Sequence, residues 1–323
     1  MRIILVAHYK PMIRICKLLE YRLKQHFEVS TLYSYDADGH ESTAVHALRD
    51  MEADYVITPS GQMADRIPDK CGKVILVNHG PVPHKNHRPV QNVFAVVGAP
   101  YALDAYKKLG QMADHWWDLG YVEMDAEGLD PGFEEEMTDG FMVYAPTYHE
   151  EHAGPVKRQK RIMAILSDYG KKRAVFAPHP IIPHSDVLYR FAEHLGMDIF
   201  QGDGSIVSLL SHHFIRGVVT DYSAVIPLAI GCGIPVFAYN SFRWWTDPEM
   251  SFSMDDVVLE MREACYQFTA PEELEFMLKT FDDIRNDPLS SLRNEWRSRI
   301  FGGRQVCHED TVADLLVWKL KGL

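Results

Sequence analysis

The residues best suited to chemistry sit at four apolar-to-polar junctions. Thr220-Asp221-Tyr222-Ser223-Ala224 closes an apolar run and opens a short apolar helical stretch. In a parallel sheet, such a strand-to-helix turn gathers free backbone N–H groups and hydroxyls where a phosphate can dock. Tyr144, Pro146 and Thr147 end another apolar run, and Thr147 reads either as a phosphate or ribose donor or as a helix N-cap. Pro178-His179-Pro180 fixes an imidazole on a rigid mount after a third run, with a packing role in a turn as the alternative. His79-Gly80 follows the run Val74–Asn78; an imidazole there can take a proton, and the adjacent glycine allows close backbone approach. The chain has 16 histidines, so an ordinary loop histidine is the competing reading. His84, Lys85, His87 and Arg88 add a basic cluster suited to an anionic acceptor or to a solvated loop. Asp221 is ambiguous between capping the next helix and orienting a histidine or ribose hydroxyl.

Elements with a doubly wound rhythm must hold these groups. In the first half, apolar runs at Ile3–Ala7, Val29–Tyr33, Tyr55–Pro59, Val74–Asn78 and Val93–Val97 alternate with helical patterns at 11–26, 42–51 and 101–109. The stretch 125–139 is acidic, interleaved with Gly and Pro, and lacks apolar periodicity, as a linker would. The rhythm restarts at Phe141–Ala145 and continues through a basic helix at 156–169, a run at 174–177, the Thr220 junction, and helices at 271–286 and 290–301. The expected organisation is therefore an α/β chain with domains at 1–130 and 140–307 and a terminal helix at 308–323. That last helix carries apolar residues that could pack back across the domain seam.

Composition narrows the partners. A formal charge of −12 and 46% hydrophobic content describe an ordinary globular chain without the clustered cations of a sequence-independent nucleic-acid binder. Five scattered cysteines lack C-x-x-C spacing, which fits reduced thiols in a cytoplasmic compartment. No zinc or other metal site is expected: His212-His213 are adjacent rather than four apart, and no Asp-x-Asp ends a strand. The opening Met1–Ala7 is too short for an export signal, and no apolar run reaches membrane-spanning length.

Taken in order, the motifs resemble the CDP-glycerol glycerophosphotransferases, the teichoic-acid primase and polymerase group. Asn78-His79-Gly80-Pro81-Val82-Pro83-His84-Lys85 is similar to that family's His-Gly-Thr-Pro-Leu-Lys loop. Gly120-Tyr121 with Asp125, Tyr144-Ala145-Pro146-Thr147, Pro178-His179-Pro180 and Thr220-Asp221-Tyr222-Ser223 match further family landmarks. Departures are Val122-Glu123 for a Pro-Arg pair, Tyr148-His149 for Trp-Arg, and Ala224 for a second Ser.

The resemblance implies a GT-B fold, with two Rossmann-like domains facing a cleft. It implies His79 as general base and His179 as a donor to the phosphate. Tyr144, Pro146, Thr147, Pro178, Thr220, Asp221, Tyr222, Ser223 and Ala224 would bind the donor, and Gly80, His84, Lys85 and Arg88 the acceptor. The expected substrates are a nucleotide-activated small molecule, CDP-linked, and a glycan or lipid-linked hydroxyl, with no cofactor and no nucleic acid. A cytoplasmic protein with at most transient contact at the inner membrane face would fit. Nucleotide-sugar glycosyl transfer, epimerisation of a nucleotide sugar, and a non-catalytic binding subunit are the alternatives.

Overall fold

The computed structural model describes residues 1–8, 10–34, 43–78, 89–122, 140–147, 153–169, 174–179, 182, 186–200, 206–210, 215–221, 223, 225–240, 261–280, 287–301 and 311–323. The chain divides into two compact units, Met1–Gly128 with Arg299–Leu323, and Leu129–Ser298.

The first unit is built on a six-stranded sheet in the order β2-β1-β3-β4-β5-β6, every pair parallel. Its strands are β1 (Arg2–Ala7), β2 (Glu28–Tyr33), β3 (Tyr55–Thr58), β4 (Lys73–Val77), β5 (Val93–Gly98) and β6 (His115–Asp118). Strands covered on both faces lose the apolar/polar alternation of a half-exposed strand. Accordingly β5 is buried at all six positions and β1 at five of six. Helices α1 (Lys10–Leu23), α2 (Thr43–Leu48), α3 (Gly61–Ala64) and α4 (Pro100–Lys108) belong to this unit. Strand β6, His-Trp-Trp-Asp, lies at the sheet edge with only Trp117 buried, so its sequence carries no apolar run.

The second unit repeats the plan in the order β12-β11-β10-β7-β8-β9, again all parallel. Its strands are β7 (Phe141–Ala145), β8 (Ala174–Phe176), β9 (Asp198–Ile199), β10 (Ile215–Thr220), β11 (Val236–Tyr239) and β12 (Tyr266–Phe268). Helices α5 (Val156–Tyr169), α6 (Val187–His194), α7 (Ile206–Leu210), α8 (Val225–Gly231), α9 (Pro271–Thr280) and α10 (Ser290–Phe301) accompany them. Counted within the unit, the strand order is 3-2-1-4-5-6, the dinucleotide-binding arrangement whose order reverses between its first and fourth strands. Here that reversal falls between β7 and β10.

The terminal helix α11 (Val312–Lys321) belongs to the first unit. Thr311 and Asp314 form a reciprocal capping box at its start. Val312, Ala313, Leu316, Val317 and Leu320 then join Ile13, Cys16, Leu19 and Leu23 of α1 in the core against β1.

Candidate functional site

Residues from three neighbouring strands meet at the carboxyl edge of the second sheet. The registers Thr220↔Ala145 and Tyr144↔Phe176 align the ends of β10, β7 and β8. Continued past the ladder, they bring Asp221, Pro146 and Pro178 to one level and Thr147 and His179 to the next, at strand spacings of about 4.8 Å. In open α/β sheets ligand crevices form where strand order reverses, and β7/β10 is that point here.

Two long-range bonds fix the junction. Thr220 Oγ1 donates to the Ala145 carbonyl at 2.7 Å. The backbone N–H of Thr147 donates to Asp221 Oδ2 at 2.9 Å. Thr220 is buried, and its hydroxyl proton is held within the sheet rather than presented outward.

Asp221 is only 1% exposed. Burial pushes its carboxyl up to about 7, against the opposing pull of the Thr147 backbone N–H and hydroxyl and of its own backbone N–H. Among the described residues, Asp221 Oδ1 and Thr147 Oγ1 are buried and make no hydrogen bond of ordinary geometry. These two buried oxygens, the Thr147 hydroxyl and the Asp221 carboxyl it acts on, lie on either side of the order reversal without a completed hydrogen bond. Buried polar atoms left in this way cost free energy that a complementary ligand recovers.

The other sequence candidates take different places. Tyr144 is 3% exposed, stacks on Phe176 with ring centroids 6.1 Å apart, and belongs to the core. Its phenol is driven well above the usual range by burial, then by the Asp221 and Tyr239 charges. Ser223 Oγ accepts the Val225 N–H at 3.2 Å, so the capping role open to Asp221 in the sequence belongs to Ser223. Helix α8 behind it is buried at all seven positions. Pro178 and His179 are half-buried beyond β8, and the His179 carbonyl accepts the Ile182 N–H at 2.9 Å. His79, Gly80, His84, Lys85, Arg88, Tyr222 and Ala224 lie outside the described residues.

The edge also holds groups that sequence reasoning missed. Arg158, near the start of α5, donates to the Tyr239 hydroxyl and lies 5.5 Å from that ring's centroid. Gln159 donates to the Gly154 carbonyl at 2.7 Å. In the sequence these two were part of a basic helix with nothing to distinguish them from a solvated face.

The first sheet has a comparable edge. His8, Ser34 and Asn78 directly follow β1, β2 and β4, and Ser60 lies two residues past β3; all four are buried. Asn78 Oδ1 accepts the Tyr106 hydroxyl at 3.3 Å, and Ser60 Oγ accepts the Met63 N–H at 3.2 Å. The sequence signal for this row was the polar residue closing each apolar run.

No protein-family profile and no curated protein matches the chain. Solved structures do match in fold. An S. aureus MnaA–UDP complex aligns at TM-score 0.58 and 12% identity over 99% of this chain and 96% of its own. The wall teichoic acid polymerase TagF aligns at 0.59 and 12%, over 99% and 89%. A Methanocaldococcus jannaschii UDP-GlcNAc 2-epimerase, solved with UDP-GlcNAc and UDP, aligns at 0.59 and 12% over the whole of both chains. The chain thus has the GT-B type of fold, two Rossmann-like α/β units in succession.

Proposed function

We propose that the protein is a transferase that moves a phosphoglycerol or similar polyol-phosphate unit from a CDP-activated donor to a hydroxyl of a glycan or lipid-linked acceptor. The observation that carries this reading is the pair of unsatisfied buried oxygens, Asp221 Oδ1 and Thr147 Oγ1, at the order reversal of the second sheet. A nucleotide's ribose and phosphates supply the matching donors and acceptors, and this is the crevice that Rossmann-like sheets offer them. In this reading His179 donates to the diphosphate from the end of β8, with Pro146, Pro178 and Ser223 beside it.

His79 takes the proton of the acceptor hydroxyl. The acceptor oxygen bonds to the donor's distal phosphorus as the bond from that phosphorus to the bridging oxygen breaks, and CMP leaves with the electron pair. Gly80, His84, Lys85 and Arg88 attend the acceptor. The resemblance of the ordered motifs and the fold shared with TagF support phosphoglycerol transfer; no resident cofactor or metal enters the scheme.

Nucleotide-sugar epimerisation is the second reading. It is favoured by the end-to-end alignment with the UDP-GlcNAc 2-epimerase, against 89% coverage of TagF. Product analysis separates the two. Release of CMP from CDP-glycerol that depends on an added glycan acceptor supports transfer. Conversion of UDP-GlcNAc with no acceptor present, and no turnover of CDP-glycerol, would replace it with epimerisation.

A further inference from the structure

Helices α1 and α11 cover the same face of the first sheet, and their outward sides are basic on an acidic chain. Residues 12–26 and 311–323 hold six basic and two acidic side chains, a formal +4, so the remainder of the chain carries −16 of the total of −12. Both acids are engaged within the face: Glu20 pairs with Lys24, and Asp314 with Arg22 at 3.4 Å. The second contact, with Lys321 Nζ lying 3.1 Å from His26 Nδ1, shows that the two helices run side by side in the same direction. On α1 and the residue that follows it, the exposed stripe is Lys17, Tyr21 and Lys24, spaced i, i+4, i+7. On α11 it is Trp318 and Lys321, with Leu315 half-buried one turn earlier.

Among the described residues, the large aromatics left exposed are Tyr21, Phe276 and Trp318, and two of the three lie here, at 71% and 67%. Each has a cation beside its ring. Arg22 lies 5.9 Å from the Tyr21 centroid and Lys319 5.1 Å from that of Trp318. Rings with an apolar body and a polar edge, set among lysines, suit the headgroup level of a bilayer. An isolated Trp and Tyr could equally contact a protein. What selects a lipid surface is the charge: rings set in a net positive face are drawn to anionic headgroups, whereas helix α5, also basic, exposes no large aromatic.

We propose that the outer face of α1 and α11 docks reversibly on anionic lipid bilayers, with Tyr21 and Trp318 entering the headgroup layer and Lys17, Lys319 and Lys321 contacting the lipid charge. The proposal stands on the first unit alone and is independent of the reaction assigned above. Flotation of the full chain with phosphatidylcholine vesicles, with and without phosphatidylglycerol, tests it. Binding is expected only with phosphatidylglycerol present and should fall as salt is raised. Joint replacement Lys17→Gln, Lys319→Gln and Lys321→Gln should weaken it on the order of a hundredfold, at roughly fivefold per charge. Trp318→Ala should weaken it roughly tenfold. Removing three exposed lysines elsewhere, Lys108→Gln, Lys157→Gln and Lys279→Gln, should leave it unchanged. All these side chains are exposed except Lys319, which is half-buried, and circular dichroism should show unaltered folding. Equal binding to both vesicle types, no binding, equal losses in the two lysine triples, or a Trp318-dependent dimer in light scattering would overturn the proposal.

Discussion

Replacing Asp221 with Asn removes one titration and little else. The Asn carbonyl can still accept the Thr147 N–H, the 2.9 Å bond that ties β7 to β10. In the wild type, burial raises the carboxyl from an ordinary 3.8 to about 7, so the folded chain holds this proton more tightly than the unfolded chain does. The resulting stability is fully present below the unfolded value and is lost as pH rises through 7. Integrated between pH 5 and pH 8, the loss is roughly 2.5 kcal/mol. The Asn variant does not undergo it. Urea denaturation of both proteins at the two pH values should therefore show the variant gaining about 2.5 kcal/mol on the wild type at pH 8 relative to pH 5. Taking the difference cancels the titration of histidines and other groups common to both chains. In thermal melts the same change corresponds to a relative shift of about 5–10 °C for a unit of this size. Curves that stay parallel across the pH range would refute the reasoning, because Asp221 would then be ionised in the folded chain throughout.

Two further substitutions probe the second unit. Gly154 has φ of +78°, and a β-carbon there would meet the Tyr239 ring at 3.0 Å, so Gly154→Ala should cost roughly 1–3 kcal/mol in denaturation, with loss of the Arg158–Tyr239 contact visible by NMR. Asp287→Ala leaves Arg293, 2% exposed, without the carboxylate it pairs with; a loss of roughly 3–5 kcal/mol is expected, and a near-neutral result would show that the pair is solvated.

The interior strands were legible because burial on both faces leaves a nearly continuous apolar run, as in β1, β5 and β10. The edge strands β6 and β12 were not. His115–Asp118 and Tyr266–Phe268 bury one face only, and their aromatic and polar residues give no such run. The same difference governs the site. Thr147, Asp221 and His179 could each be singled out because a polar residue closing an apolar run marks a strand's carboxyl end. Their joining could not be read, since the Thr147–Asp221 bond spans 74 positions and depends on the register of β10 on β7. Ser223 shows the limit of local reading: a hydroxyl before a short helix suits a phosphate or a cap, and the 3.2 Å bond to Val225 shows it capping.

Binding of CDP-glycerol, followed by titration calorimetry on the wild type and on His179→Ala, is the most direct test of the claim that the carboxyl edge of the second sheet grips a nucleotide diphosphate. The account predicts saturable binding at one site, weakened at least tenfold, or about 1.4 kcal/mol, in the variant. Absence of binding, or equal affinity in the two proteins, would contradict it.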